Sequence, residues 1–150
     1  MPKLMFIQPS QYSATGRLIK QKKLYMPGLV FPLLAAMTPP HWEIDARIEI
    51  LDDIDLDTDA DLIGIGAMGH AFLRAVELAA EFRKRRKTVF MGGYQTSLTP
   101  AQAMPFADGI VIGDAEISYP LLLEDFERTG RIEPVYDHPV HDLALSLIHI

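Results

Sequence analysis

The chain has 150 residues, of which 49% are hydrophobic and 23% charged, with a formal net charge of -6 and no cysteine. This balance predicts one compact domain and excludes a disordered chain, a general affinity for nucleic acid and an affinity for anionic membrane surfaces. The absence of cysteine excludes disulfides, thiolate catalysis and cysteine-ligated zinc or iron-sulfur sites. No apolar run reaches the roughly 20 residues of a membrane span, and the start is too short for a signal peptide, so we expect a cytoplasmic protein.

The first third of the chain predicts two strands separated by a long loop and a helix. Leu4 to Ile7 is an apolar run typical of a buried parallel strand. The polar segment from Ser10 to Gly28 predicts a functional loop, and Val30 to Thr38 predicts a buried helix that Pro39 ends. A second strand follows, half buried at an edge, with apolar residues alternating on one face: Ile44, Ala46, Ile48 and Ile50.

The middle of the chain predicts a strand, an amphipathic helix and another strand. Leu62 to Gly66 is the third strand, and Thr88 to Met91 is the fourth, which ends in a double glycine. Between them a helix is predicted to bury one stripe of residues: Phe72, Leu73, Val76, Ala79 and Ala80. Glu81 and Arg85 are spaced to form an ion pair on this helix.

The remaining elements complete an alternating pattern of strands and helices. A short helix is predicted from Pro100 to Phe106 and a fifth strand from Gly109 to Gly113. The last helix is predicted to begin near Ser118, with Pro120 in its first turn, and to end at Gly130. The pattern predicts an α/β, flavodoxin-like (Rossmann-like) three-layer sandwich with a five-stranded parallel sheet in the order 2-1-3-4-5.

Three predicted loops at the carboxyl ends of the strands contain glycine. Ligands of such sheets bind at this edge, and glycine lets the backbone approach a flat or bulky ligand. The loops are Gly66-Ala67-Met68-Gly69-His70, Gly92-Gly93-Tyr94-Gln95-Thr96-Ser97 and Gly113-Asp114-Ala115-Glu116. Together they predict a broad ligand site, and His70 is a candidate contact because it also begins a helix.

In the order and spacing of these features the chain resembles the N-terminal cobalamin-binding domain of radical S-adenosylmethionine (SAM) enzymes. The resemblance runs from the first strand to Gly130 and includes the loop Met26-Pro27-Gly28-Leu29 with the helix start after it, the stretch from Asp59 to Ile65, the long amphipathic helix, Gly92-Gly93 and Gly113-Asp114-Ala115-Glu116. It implies that a corrin ring lies over the strand ends and that the nucleotide tail descends between the sheet and the helices after strands three to five.

The predicted cofactor-binding residues combine these loops with the end of the first strand and the proline-containing loop. They are Gln8, Pro9, Ser10, Met26, Pro27, Ala67, Met68, Gly69, His70, Gly92, Gly93, Tyr94, Gln95, Gly113, Asp114, Ala115 and Glu116. The chain departs from the family at Ala67-Met68-Gly69, where relatives often have serine and threonine, and at Gln95, where histidine is frequent.

Cobalamin-dependent mutases and methionine synthases carry a cobalt-ligating histidine after the first strand, where this chain has Gln8-Pro9-Ser10-Gln11-Tyr12. We therefore expect no histidine ligand on the lower face of the cobalt. The resemblance further implies a parent enzyme, a methyltransferase or related radical enzyme, whose following domain binds an iron-sulfur cluster and SAM. The chain itself is then a non-catalytic module that binds cobalamin and contacts the radical SAM domain.

The boundaries expected on this basis are a cobalamin-binding domain over residues 1–130, a linker over 131–144 and a non-native tail over 145–150. The tail matches the translation of a common transposase sequencing adapter, so we expect the natural reading frame to continue past Ala144.

Two further features of the chain resemble ligand-binding motifs. Ser13-Ala14-Thr15-Gly16 partly matches the phosphate loop of flavodoxins, but no helix follows directly, as flavin mononucleotide binding requires. The acidic series Asp53, Asp55, Asp57, Asp59 and Asp61 lacks the glycine and glutamate of an EF-hand and indicates a solvated connection. A flavin- or nucleotide-binding domain and a ligand-free interaction module remain alternatives.

Overall fold

The computed structural model describes residues 1–24 and 28–139, and its centre is a six-stranded parallel sheet in the order β2-β1-β3-β4-β5-β6. The strands are β1 (Lys3–Gln8), β2 (Glu43–Ile48), β3 (Leu62–Gly66), β4 (Thr88–Gly92), β5 (Gly109–Val111) and β6 (Val135–Tyr136). The helices are α1 (Val30–Met37), α2 (Phe72–Lys84), α3 (Tyr94–Leu98), α4 (Pro100–Ala103) and α5 (Ala115–Thr129). A short 3-10 helix, Gly69–Ala71, precedes α2. The flavodoxin-like fold class is confirmed.

Alternate residues of each strand point to opposite faces of the sheet, and each face has its own apolar cluster. On one face α2 and α4 pack against residues such as Met5, Ile63 and Met91. On the other, α1 and α5 pack against residues such as Phe6 and Phe90. We call the second face the α1/α5 face.

The strand count was wrong by one. Val135 and Tyr136, which fall in the expected linker, form β6 and pair in parallel with Ile110 and Val111 of β5. The Tyr136 side chain is buried, and its hydroxyl donates a hydrogen bond to Asp125 of α5 at 2.9 Å. Packing between an aromatic side chain and α5 therefore extends the sheet beyond Gly130.

Two helices differ from their predicted bounds. α5 begins at Ala115 rather than near Ser118, so Pro120 lies in its second turn, not its first. Because proline has no N–H, the carbonyl of Glu116, four residues earlier, loses its helical partner. The segment from Tyr94 to Ser97, predicted as a loop, belongs to the helix α3, and the predicted helix beginning at Pro100 ends at Ala103.

The buried stripe predicted for α2 was partly wrong. Leu73 is 60% exposed, whereas the buried residues of the helix are Ala75, Leu78, Ala79 and Phe82. Packing against the sheet buries the side of α2 that carries Ala75, Leu78, Ala79 and Phe82, and Leu73 lies outside this stripe. The predicted ion pair between Glu81 and Arg85 is present at 2.8 Å.

The edge position of β2 is confirmed, but its apolar face is less buried than the alternation predicted. Ile44 and Ala46 are exposed. α1 packs over β1 instead, where its buried residue Leu34 shares a cluster with Leu4 and Phe6. No helix within residues 1–24 and 28–139 combines the length and the apolar character that crossing a membrane requires.

Candidate functional site

Two neighbouring central strands end in glycines that lie on the α1/α5 face. In β3, Leu62 belongs to the apolar cluster of this face, so the alternation of the strand places Gly64 and Gly66 there as well. In β4, Phe90 belongs to the same cluster, which places Gly92 beside Gly66, its partner in the sheet. The carboxyl ends of both strands are therefore bare of side chains on this face.

A cavity of about 380 Å³ occupies the space above these glycines. Its walls come from β1, β3, β4 and β5, from α1 and from the start of α5. The lining residues are Phe6, Leu29, Val30, Phe31, Leu33, Leu34, Gly64, Ile65, Gly66, Phe90, Gly92, Gly93, Val111, Gly113, Asp114, Ala115, Glu116 and Tyr119. Most of them are apolar, so the cavity suits a ligand group with little polar surface.

Aromatic rings form part of the cavity wall around Gly64. A methyl group at Gly64 would lie 2.5 Å from the ring of Phe90 and 3.1 Å from that of Phe6. The rings of Phe6 and Phe31 are stacked with centroids 5.4 Å apart, and Tyr119 lies 6.1 Å from both Phe6 and Phe90. Glycine at position 64 lets these rings close over the strand.

The hydroxyl of Tyr119 is committed to a protein partner. The Thr38 hydroxyl donates to the Leu34 carbonyl at 2.7 Å and lies 2.6 Å from the Tyr119 oxygen. Because the single Thr38 proton is used for Leu34, Tyr119 donates to Thr38. Burial raises the pKa of Tyr119 well above its ordinary value, against the opposing effect of the bond with Thr38, so the phenol stays protonated.

The remaining polar side chains of the lining lie at the start of α5. Asp114 is exposed and precedes the helix, and Glu116 is half-buried in its first turn. Carboxylates only accept hydrogen bonds, so this end of the cavity suits ligand hydroxyl or amide N–H groups. Gly113 has φ of +72° and nothing within 4 Å of an added Cβ, which leaves the approach to α5 open.

Gly93 brings the loops after β3 and β4 together. Its φ is +95°, and an added Cβ would lie 3.1 Å from the Ala67 carbonyl oxygen and 3.2 Å from the Ala67 nitrogen. The backbone N–H of Gln95 donates to that same carbonyl at 3.4 Å. Only glycine fits this backbone conformation and this close approach.

Six of the predicted residues line the cavity: Gly92, Gly93, Gly113, Asp114, Ala115 and Glu116. The other predicted residues that follow β3 and β4 do not line the cavity. Ala67 is buried, whereas Met68 and Tyr94 are exposed at the carboxyl edge, outside the cavity. Gly69 and His70 form the 3-10 helix, and Gln95 lies in α3 with its side-chain amide 2.9 Å from the Thr99 hydroxyl.

The residues after β1 are held by a buried ion pair. The N–H of Ser10 donates to Glu49 at 3.0 Å, and its hydroxyl donates to the carbonyl of Ile19. Glu49 is 2% exposed and accepts two bonds from Nε and one from Nη2 of Arg74, the shortest at 2.6 Å. Hydrogen bonding to Glu49 raises the pKa of Arg74. Ser10 therefore anchors the loop with both of its hydrogen-bond donors.

The predicted residues that remain are Gln8, Pro9, Met26 and Pro27. Pro9 is buried, and Gln8 is half-buried with its Oε1 3.9 Å from the Cβ position of Gly28. Met26 and Pro27 lie outside the described residues, so their predicted role stays a prediction.

The cavity lies beneath the helices that follow β1 and β5, whereas the resemblance implied a tail site beneath the helices after strands three to five.

Sequence reasoning missed the aromatic and strand residues of the site: Phe6, Phe31, Gly64, Phe90, Val111 and Tyr119. The signal that locates them is glycine at alternate positions of β3, at 64 and 66, which marks one bare face of a buried strand. The aromatic side chains themselves look like ordinary core residues in the sequence.

The competing sequence features have other structural roles. Ser13 to Arg17 forms a tight exposed turn, closed by bonds of 2.8 and 2.9 Å between backbone groups, and it precedes no helix. Asp53, Asp57 and Asp59 pair with Lys20, Arg85 and Lys3, respectively. Within residues 1–24 and 28–139, no three histidine or carboxylate side chains come together as a metal site.

No family model matches the chain. Over 118 residues it is 39% identical to the bacteriochlorophyllide d C-8(2)-methyltransferase of Chlorobaculum tepidum. The two are homologous. The match covers 78% of this chain and 26% of that methyltransferase, so the chain spans about a quarter of its relative's length.

Among solved structures, the N-terminal domain of a hypothetical protein of Thermotoga maritima aligns with a TM-score of 0.47 and 15% identity. The alignment covers 79% of this chain and 94% of that domain.

Proposed function

We propose that the chain is the cobalamin-binding module of a larger radical SAM enzyme, most simply a methyltransferase. The observation that carries the proposal is the apolar cavity above the glycine ends of β3 and β4. The resemblance of the glycine loops to N-terminal cobalamin-binding domains and the homology to a methyltransferase support the same function.

The residues of the site fit the chemistry of this cofactor. Cobalamin joins a broad flat ring to a nucleotide tail that ends in an aromatic base. Glycines at 66, 92 and 113 leave room for a close approach to the backbone, and the apolar cavity suits the base. Asp114 and Glu116 are acceptors for the hydroxyl and amide groups of the cofactor. When bound, cobalamin supplies a cobalt-carried methyl group.

The same features disfavour flavin mononucleotide. A phosphate monoester needs N–H or hydroxyl donors, and the flavodoxin-like residues Ser13 to Gly16 form an exposed turn that does not lead directly into a helix. Asp114 and Glu116 at the start of α5 would repel the dianion of a phosphate monoester more strongly than the monoanionic phosphodiester of cobalamin. A ligand-free interaction module leaves the cavity without a role.

Cofactor binding tests the proposal directly. The purified chain is incubated with hydroxocobalamin or with flavin mononucleotide, and the absorbance that remains with the protein after gel filtration is measured. We expect retention of cobalamin near one equivalent and none of the flavin. Retention of the flavin alone, or of neither, would overturn the proposal.

A matched pair of substitutions assigns the binding to the cavity. Ala115→Leu places a larger apolar side chain in the cavity wall. Ala80→Leu makes the same change at a half-buried position of α2 that lies outside the cavity. We expect Ala115→Leu to weaken cobalamin binding about tenfold, and Ala80→Leu to leave it unchanged. Equal effects of both substitutions would place the cofactor elsewhere.

The described residues at the end of β1 include no histidine, and we propose that cobalt lacks a protein histidine on its lower face. Electron paramagnetic resonance of the reduced, cobalt(II) complex tests this. We expect no nitrogen hyperfine splitting from a protein ligand, and splitting that disappears in His70→Ala would contradict the prediction.

The chain spans about a quarter of its relative's length, which supports a longer parent enzyme. We propose that the cobalamin domain runs from residue 1 through β6, which ends at Tyr136, that the residues after it lead toward a radical SAM domain and that 145–150 are not native. Resequencing the source locus is expected to reveal a frame that continues past Ala144 into a Cys-x-x-x-Cys-x-x-Cys motif. A stop codon after Ile150 would refute it. The relative's substrate is not carried over, because the match covers 26% of that enzyme.

A further inference from the structure

We infer that the cavity discriminates between cobamides by their lower base, taking a benzimidazole or another apolar base in preference to a purine. The inference rests on the proposed function and adds the class of cofactor that the site selects. It follows from the hydrogen-bonding groups that the cavity wall offers.

The wall around Gly64 offers aromatic and aliphatic surface. Three aromatic side chains that line the cavity are at most 4% exposed: Phe6, Phe90 and Tyr119. Val111 adds an aliphatic side chain from β5 and is 5% exposed. A flat apolar base gains dispersion and burial energy against such a surface, whatever its detailed orientation.

The same wall has no free side-chain donor. Tyr119 is the one side chain with a hydrogen-bond donor among the lining residues of the described chain, and its proton is given to Thr38 at 2.6 Å. The backbone N–H groups of β3 and β4 are engaged in the parallel sheet. Purine ring nitrogens buried among the aromatic rings would therefore meet no free side-chain donor. The backbone N–H groups that no side chain caps lie at the first turns of α1 and α5.

The two polar lining side chains do not remedy this. Asp114 and Glu116 are acceptors only and lie at the start of α5, not among the aromatic rings. A purine amino group reaching them would still leave its ring nitrogens without a side-chain donor. Burying unpaired polar atoms of this kind weakens binding about tenfold or more, whereas a dimethylbenzimidazole has fewer such atoms to desolvate.

A series of cobamides that differ only below the corrin ring tests the inference. The dissociation constants of the full chain are measured for cobalamin, for the adenine-containing cobamide and for cobinamide, which lacks the nucleotide. We expect cobalamin to bind at least about tenfold more tightly than the adenine cobamide, and cobinamide to bind more weakly than cobalamin.

A second pair of variants probes the cavity wall itself. Val111→Thr adds a hydroxyl to the cavity with little change in shape, and Val89→Thr makes the same change on the opposite face of the sheet. Circular dichroism first establishes that both variants are folded. We expect Val111→Thr to reduce the preference for cobalamin over the adenine cobamide at least about threefold, and Val89→Thr to leave it unchanged.

The outcomes separate this inference from the proposed function. If no cobamide binds, the proposed function fails. If cobinamide binds as tightly as cobalamin, the module binds cobamides but the base does not use the cavity, and the inference is overturned. Equal affinity for cobalamin and the adenine cobamide, with weaker cobinamide binding, overturns the selectivity alone. An effect of Val89→Thr equal to that of Val111→Thr also overturns it.

Discussion

Gly66 and Gly93 are both glycines at the carboxyl edge of the sheet, but they are required for different reasons. Gly93 has a positive φ of +95° and touches the backbone of Ala67. Gly66 lies in β3 with ordinary backbone angles, and nothing lies within 4 Å of an added Cβ. The first glycine serves the fold, and we attribute the second to the ligand.

Alanine substitutions separate these roles. Gly93→Ala is expected to lower the free energy of unfolding by about 1 to 3 kcal/mol, because its backbone region is nearly exclusive to glycine. Gly66→Ala is expected to leave this free energy unchanged within about 1 kcal/mol and to weaken cobalamin binding about tenfold. Urea denaturation and binding titrations measure the two effects. A stability loss in Gly66→Ala as large as in Gly93→Ala would contradict the assignment.

Glu49 is a buried carboxylate whose partners are the loop after β1 and α2. Replacing it by glutamine leaves Arg74 with only the more exposed carboxylate of Glu77, at 3.5 Å, and we expect Glu49→Gln to lower the free energy of unfolding by about 3 kcal/mol. The control, Glu81→Gln, removes a more exposed carboxylate that pairs with Lys84 and Arg85, at an expected cost below about 1 kcal/mol. Equal costs in urea denaturation would argue against a structural role for the buried pair.

At the scale of elements, α5 connects the site to β6. Its first turn carries Glu116 at the cavity, and its fourth turn carries Asp125, which accepts a hydrogen bond from the Tyr136 hydroxyl. Burial raises the pKa of Tyr136 to about 12, so this phenol remains a donor at neutral pH. The helix thereby holds the last strand on the sheet.

The contact between α5 and β6 is expected to weaken in acid. Hydrogen bonds from Arg128 and Tyr136 lower the pKa of Asp125 below its ordinary value of 3.8. A carboxyl whose pKa is lower in the folded state stabilises the fold fully above its unfolded pKa and loses that effect as the pH falls through the folded pKa. The stability difference between the wild type and Asp125→Asn should therefore shrink from about pH 5 to about pH 2.

Thermal unfolding across this pH range measures the effect. Glu124→Gln, a change at an exposed neighbour on the same helix, is the control. A constant difference between Asp125→Asn and the wild type at all pH values would show that the carboxylate charge does not stabilise the contact.

The individual elements were largely predictable because their signals are local. β3 was predicted with its observed bounds, and β1 and α1 were predicted to within one residue. The errors arose at elements whose structure depends on contacts with residues that are distant in the sequence. A two-residue strand such as β6 has no periodicity to detect, and it forms because Tyr136 is buried against α5. The stripe of α2 shifted because the sheet, not the helix, selects which apolar residues are buried.

At the scale of the whole molecule, the cavity separates α1 and α5 from the ends of the central strands. A ligand that fills it binds the folded chain and not the unfolded one. At a cobalamin concentration of 100 times the dissociation constant, we expect a stabilisation of about 2.7 kcal/mol. A rise in the melting temperature of several degrees would accompany it in calorimetry. Flavin mononucleotide at the same concentration is the control, and an equal rise with both ligands would deny specificity.

The sequence by itself determined the α/β class, the strand order from β2 to β5, and the glycine-bearing edge where the site lies. These follow from periodicity and from the connection rules of parallel sheets, which act on neighbours in the chain. The tertiary structure alone decided that Gly64, Gly66 and Gly92 share one face with Phe6 and Tyr119, and that α1 and α5 close the cavity. Those residues are far apart in sequence, and packing brings them together.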